Sequence, residues 1–525
     1  MVHKRRRADG NAGAGGIPKD PLIVFAASVC MFLAAAYFLA FQVKYALGDA
    51  MSRTFSAFDA VYGAQPHLAT IGFIWPPLPT LLQIPLVLIK PLTYYGFSGM
   101  IVSALFGAGS LAALDMLYRH YGFKWWTRAI LAAIFVGNPY IMFYAANGMS
   151  EIAFVFFFSV ALAGFAVWDR HNQWRMVTLM GIAVTGAFYV RYDALALAAA
   201  FFFGIILLMP KLDADAPERI EGTLLAFSVL VGYGVAVWIF MNWSIMKDPL
   251  YFYRSEYSNL AITKNMIDTP QVQALQHSWV AVLQYGAEMM YRVSPLFTVL
   301  TPLLVIGSLV RRKAAVFVML LISLSVPAFQ VYMFRQGTTF GFDRFYISVI
   351  PATFILGVTV VDKIQRGKAR LKALALPLLI IALAVSTGWT AVRVYEGKDS
   401  TEEGAVMLAS MEMRSLNNFA LDEEVASYVV AHVEGRQVLA DSNSAERIVL
   451  FTQEPRLFVL TADPDFDEVL RSPVGKVKYI LVQNPQLNIT FDAILDRYPD
   501  IWTGAVPFTE LEKDFGSYRL YRVKS

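Results

Sequence analysis

Eleven apolar runs separated by charged segments occupy residues 21–392, and no other feature limits the fold so strongly. They lie near 21–42, 100–118, 129–146, 152–168, 176–190, 194–210, 222–243, 295–310, 314–333, 346–361 and 373–392. A helix of about 20 residues crosses the roughly 30 Å hydrocarbon core of a bilayer. Inside that core every backbone N–H and C=O must be bonded within the protein, so a crossing is a helix or a closed barrel. Runs of this length read as helices, and several are short, so ten or eleven crossings are expected. Charged residues make up only 16% of the chain and the mean hydropathy is +0.50, where a soluble domain carries about 25% charged residues. One large soluble protein is excluded. The fold class expected is a polytopic α-helical membrane protein.

Basic residues set the orientation. Lys4, Arg5, Arg6 and Arg7 precede the first run, and no small-residue cleavage site ends it, so it reads as a first span and not as a removed signal peptide. Twenty Lys and Arg fall in one set of short loops, and about ten are spread through longer segments on the other side. The richer side is expected to be cytosolic. Residues 1–20 are then a cytosolic basic tail, 21–393 the membrane domain, and 394–525 lie outside. The whole is expected to be a multi-pass protein of a bacterial plasma membrane.

Two outer loops are long, about 44–99 and 244–294. Leu78 to Leu92 is apolar but broken by Pro79, Pro85 and Pro91, which suits an interfacial or re-entrant helix. Beyond residue 394 charges return. Glu423 to Val433 reads as a helix, and Gln437 to Ala440, Leu457 to Leu460, Val477 to Gln483 and Tyr518 to Val523 as strands. Asp463-Pro464 opens a further helix, and Ile489 to Tyr498 forms another. Alternating strands and helices predict a small α/β domain.

Several function classes find no support. Cys30 is the only cysteine, so no intramolecular disulfide forms. The chain has no Cys/His zinc pattern, no Walker-type phosphate loop and no G-x-G-x-x-G. Nothing suggests a nucleic-acid partner. Asn488-Ile489-Thr490 is a glycosylation sequon, a triplet common by chance.

Ionisable residues gather at the outer ends of the spans. Asp49 and Arg53 follow the first span, and Asp59, His67 and the Trp75-Pro76-Pro77-Leu78-Pro79 stretch lie in the loop beyond. Ser150-Glu151 ends the third span, Arg191-Tyr192-Asp193 the fifth, and Asp248-Pro249-Leu250-Tyr251-Phe252 follows the seventh. Arg335 ends the ninth and Asp343-Arg344-Phe345-Tyr346 opens the tenth. Burying charge at a membrane surface is costly, so such groups need one another or a ligand. Arginines hold phosphate through paired charge-assisted bonds, and a carboxylate can take a proton from a hydroxyl. That set suits sugar transfer from a polyprenyl-phosphate sugar to an acceptor hydroxyl outside the membrane. A transporter or flippase of a lipid-linked saccharide, an oligosaccharide polymerase and a membrane scaffold are the rival readings. Transporters place charge near the bilayer midplane and carry inverted repeats, and neither is evident here.

These features together resemble the GT-C superfamily of membrane glycosyltransferases, in particular its protein-mannosyltransferase-like and aminoarabinose-transferase-like branch, glycosyltransferase family 39. The resemblance covers about residues 20–392. It rests on the acid after span one (Gly48-Asp49), the proline-rich loop helix, Ser150-Glu151, Arg191-Tyr192-Asp193, Asp248 to Phe252, and Asp343 to Tyr346 leading to Pro351. It implies an inverting glycosyltransferase (EC 2.4 type) that moves a mannose-like or other hexose or pentose to a protein, lipid or glycan. Asp49 is then the base, and Arg191 and Arg344 hold the donor phosphate. His67, Glu151 and Asp193 complete the substrate site. Two neighbouring acids are frequent after span one in that family. This chain has Ala50 and Met51 there, so the need for a divalent metal stays open. If one binds, Asp49 and Glu151 are its ligands.

Overall fold

A computed structural model describes residues 19–212, 216–266, 270–311, 313–367, 372–487 and 491–524. The Lys4–Arg7 cluster and the Asn488 sequon lie outside them. Ten of the eleven apolar runs are helical along nearly all of their length; the third expected span, 129–146, is split at Gly137-Asn138 into Trp125–Val136 and Pro139–Tyr144, where Pro139 restarts the helix. Among the described residues, seven helices are long and apolar enough to cross a membrane unaided: Asp20–Val43, Lys90–His120, Glu151–His171, Glu218–Met246, Ala314–Arg335, Asp343–Arg366 and Lys372–Glu396. Trp125–Val136, Trp174–Phe188 and Ala194–Met209 are shorter apolar helices.

Burial separates the inner helices from those facing lipid. Glu151–His171 and Val349–Arg366 are buried along most of their length. Leu225, Val229, Tyr233 and Phe240 of one outer helix and Leu378, Ile381 and Val385 of another are exposed, as lipid contact requires. Trp125, Trp126 and Trp174 are exposed near one end of the bundle, and Trp243, Trp279 and Trp389 near the other. Such belts sit at the two membrane–water boundaries.

The second long loop contains more than a loop. Trp279–Val293 is a helix that meets Pro295–Val310 at 118°. Its Glu288 and Arg292, four residues apart and ion-paired at 3.0 Å, broke the apolar run that a span would have shown. Ser294 and Pro295 then make the bend, with proline at the first helical position. The proline-rich stretch forms two one-turn helices, Leu78–Leu81 and Ile84–Val87, as a broken interfacial segment should.

The C-terminal domain holds a mixed sheet of β1 (Val438–Leu439), β2 (Phe458–Val459), β3 (Tyr479–Gln483), β4 (Thr509–Asp514) and β5 (Tyr518–Val523), ordered β2-β1-β3-β5-β4. β1 runs parallel to β2 and β3, while β5 is antiparallel to β3 and β4. The four expected strands are present. The edge strand β4, Thr-Glu-Leu-Glu-Lys-Asp, was not expected: its charges face solvent and protect an open edge. The helix Ser442–Thr452 between β1 and β2 was also missed.

The first outer loop joins this domain. His67 Nε2 lies 3.0 Å from the Ala462 carbonyl. Burial pushes the Asp59 carboxyl up to about 7, with Asp463 adding to the shift and His67 opposing it. Folded protein thus keeps a proton that the unfolded chain loses near 3.8. Stability therefore falls as pH rises from about 4 to about 7, by a few kcal/mol at most at about 1.4 kcal/mol per pKa unit. Asp59→Asn removes this cost. Its unfolding midpoint relative to wild type should rise between pH 5 and pH 8, and an unchanged gap would show that Asp59 is not the titrating group.

Candidate functional site

The site begins where the first span ends. The helix loosens into a π-turn at Phe38–Val43, and Lys44 takes a left-handed conformation (φ 55°). The chain then turns into a new helix, Gly48–Tyr62, with Asp49 in its first turn, where a negative charge suits the helix dipole. The backbone carbonyls freed at this elbow are taken by the C-terminal domain. Leu416 N donates to Val43 O (2.8 Å), Asn418 N to Lys44 O (3.2 Å) and Asn418 Nδ2 to Ala46 O (3.1 Å).

Asn147-Gly148-Met149-Ser150 forms the facing turn. Asn147 Oδ1 accepts from Met149 N. Gly148 has φ 81°, and a Cβ there would sit 3.2 Å from that of Ala50. The turn therefore presses against the Asp49 helix and delivers Glu151 to it, 1% exposed.

Glu151 joins two arginines. Its Oε1 lies 2.9 Å from Arg191 Nη1 and 3.6 Å from Arg344 Nε. Arg191 Nε also pairs with Asp193 at 2.9 Å, and Asp193 accepts from Gln330 Nε2 at 2.8 Å. Arg344 Nη2 reaches Asp49 Oδ2 at 3.4 Å. Phe345 lies beneath both guanidiniums, at 4.9 and 5.5 Å. Five of the expected residues thus form one network: Asp49, Glu151, Arg191, Asp193 and Arg344. The Asp49 side chain keeps 45% of its exposure, so the network opens at that point. His67 is not part of it; its ring nitrogens face the carbonyls of Gln65 and Ala462.

Arg53 completes the basic wall; the sequence placed it among the ionisable residues after the first span but gave it no role in the site. It lies one helical turn beyond Asp49 and is 6% exposed. Its Nη2 reaches Ser150 Oγ at only 3.5 Å, and Nε and Nη1 have no hydrogen-bond partner among the described residues. The Trp75 ring covers the guanidinium at 4.8 Å. Burial pulls its pKa down, and the fields of Asp49 and Glu151 oppose that. The Asp49–Arg53 spacing of four residues was the available signal.

An acidic wall comes from the C-terminal side. Glu402 lies beside Tyr45 and within the fields of Arg344 and Asp49. Glu403 accepts from the Tyr144 hydroxyl. Glu446, on the Ser442–Thr452 helix, is within hydrogen-bond reach of Ser52, and burial pushes its carboxyl up to about 8. Among the described residues no group of three or more His, Cys, Asp or Glu is arranged to hold a metal. Asp49 and Glu151 instead share Arg344, so a metal held by this pair alone would have to displace that guanidinium.

No protein-family model matches the sequence, and no curated protein matches it. Solved structures do match. ArnT from Cupriavidus metallidurans bound to undecaprenyl phosphate aligns over 95% of this chain and 97% of its own, with a TM-score of 0.55 at 11% identity. Its apo form gives 0.54 over the same shares. The oligosaccharyltransferase AglB from Archaeoglobus fulgidus gives 0.46 over 87% of this chain and 69% of its own, at 11% identity. From its helical membrane part to its C-terminal sheet domain, this chain has the fold of ArnT.

Proposed function

We propose that the chain is an inverting glycosyltransferase that takes its sugar from a polyprenyl-phosphate donor at the outer face of the membrane. The ArnT fold supports a lipid-linked donor, since undecaprenyl phosphate is the ligand of the ArnT complex. The observation that carries the reading is Arg53, a buried guanidinium with two nitrogens that have no hydrogen-bond partner among the described residues. Leaving such donors unpaired costs free energy, and an anion between Arg53 and Arg344 relieves it. Phosphate fits there because it accepts several charge-assisted bonds at once.

In the mechanism an acceptor hydroxyl attacks the anomeric carbon. The new C–O bond forms as the bond to the phosphate oxygen breaks, and the configuration inverts. Asp49 takes the hydroxyl proton. The lipid phosphate leaves with the bonding pair, and Arg53, Arg191 and Arg344 stabilise its charge. Residues 21–393 form the membrane domain in this reading, with the N-terminus cytosolic, and residues 394–525 close the site from outside. Mannose or another hexose or pentose is the sugar class.

Titrating the purified full chain with undecaprenyl phosphate tests this. Arg53→Ala should weaken binding by roughly 10- to 100-fold, as expected from about 1.5–3 kcal/mol for hydrogen bonds to a charged group. Equal affinity in wild type and variant would remove Arg53 from the phosphate site and take the main support from the reading.

A further inference from the structure

Behind the acidic wall lies a cavity of about 180 Å³. Tyr140, Arg292, Asp343, Arg393, Ser400 and Thr401 line it. It borders the site without being part of it. Asp343 precedes Arg344, and Thr401 precedes Glu402. Tyr140 and Tyr144 are parallel, with centroids 6.5 Å apart. Tyr140 donates to Asp343 at 2.8 Å, and Tyr144 donates to Glu403. The partition between cavity and site is therefore about one side chain thick.

We propose that this cavity holds one sugar ring of a carbohydrate acceptor. Its volume equals that of roughly six waters at about 30 Å³ each, which suits a single ring and excludes a lipid tail or a folded peptide. Its lining mixes acceptors and donors. Asp343 and Glu396 accept, the two guanidiniums donate, and the Ser400 hydroxyl does either; Thr401 Oγ1 already donates to Gly397 O and accepts from Gly404 N, which leaves it one acceptor site. A sugar hydroxyl does both and can satisfy each kind of neighbour.

Charge argues against a phosphate. Glu288 pairs with Arg292 at 3.0 Å and with Arg393 at 3.2 Å, and Glu396 pairs with Arg393 at 2.9 Å. The arginines are thus already neutralised, and a phosphate would also face Asp343 and Glu396. A neutral polyol meets no such repulsion. The inference rests on the transferase reading and names the acceptor class that reading leaves open.

The test is binding of a panel of labelled gluco-, manno-, galacto- and arabino-oligosaccharides to the detergent-solubilised full chain. Undecaprenyl phosphate is titrated in parallel. Wild type should bind at least one of the four. Ser400→Trp, which fills the cavity, and Arg393→Gln, which removes a donor, should each weaken that binding at least tenfold. Both should bind undecaprenyl phosphate as wild type does, which also shows that they are folded. Binding of none of the four by wild type overturns the proposal, as does undiminished binding by either variant while the lipid phosphate still binds. Wild type that binds an oligosaccharide but not undecaprenyl phosphate keeps the cavity and overturns the donor reading.

Discussion

Asp49→Asn should lower sugar transfer by roughly 10²- to 10⁴-fold, the usual contribution of a positioned general base, and leave undecaprenyl phosphate binding nearly unchanged. Two facts separate these effects. The Asp49 side chain is the exposed member of the network, with 45% of its surface open, so an acceptor can reach it. Its contact with Arg344 is long at 3.4 Å, and Arg344 keeps Glu151 as a partner. Asparagine has nearly the same size and can still accept from Arg344 through its amide oxygen. It cannot take a proton at neutral pH. The check is single-turnover transfer from a radiolabelled undecaprenyl-phosphate sugar, alongside the binding titration. Transfer at the wild-type rate would remove Asp49 from the chemistry. A parallel loss of lipid binding would make it part of the phosphate site.

The membrane part was legible because its physics is simple. Lipid demands long apolar helices, and a run such as 314–333 announces itself. Trp279–Val293 escaped because it is amphipathic, with Glu288 and Arg292 on one face. The strand β4 escaped because a solvent-facing edge is charged where a core strand is apolar. The site was legible where ionisable residues end a span on a very short loop. Glu151, Arg191 and Asp193 had few places to go, and both carboxylates meet Arg191 at 2.9 Å. Arg53 was named but given no role because charge in a long loop has an ordinary explanation, and its contacts with Trp75 and Ser150 appear only in the fold. Glu402 and Glu446 could not be placed at all. They reach the site only through the packing of the C-terminal domain, hundreds of residues from Asp49, and no periodicity in the sequence encodes that. His67 shows the converse. Its position in a promising loop suggested a ligand, and the fold turns it to the Ala462 carbonyl.

Glu151→Gln should be the most destabilising single change at the site. The carboxylate is 1% exposed and stands between Arg191 and Arg344. Glutamine keeps the volume and one acceptor oxygen but removes the charge. The two guanidiniums then repel each other across a buried space, with Asp193 on one side and the distant Asp49 on the other. Breaking a buried ion pair by removing one partner costs about 3–5 kcal/mol. The effect should appear as a lower midpoint of thermal unfolding in detergent. Undecaprenyl phosphate should partly reverse it. A ligand that binds only the folded state stabilises it by RT ln(1 + [L]/Kd), and here its phosphate also supplies the missing negative charge. Added lipid phosphate should therefore raise the midpoint of Glu151→Gln more than that of wild type. A variant as stable as wild type would mean that Glu151 does not hold the arginines. One that is destabilised but gains no more than wild type from the lipid would place the phosphate away from Arg191 and Arg344, leaving Arg53 to bind it alone.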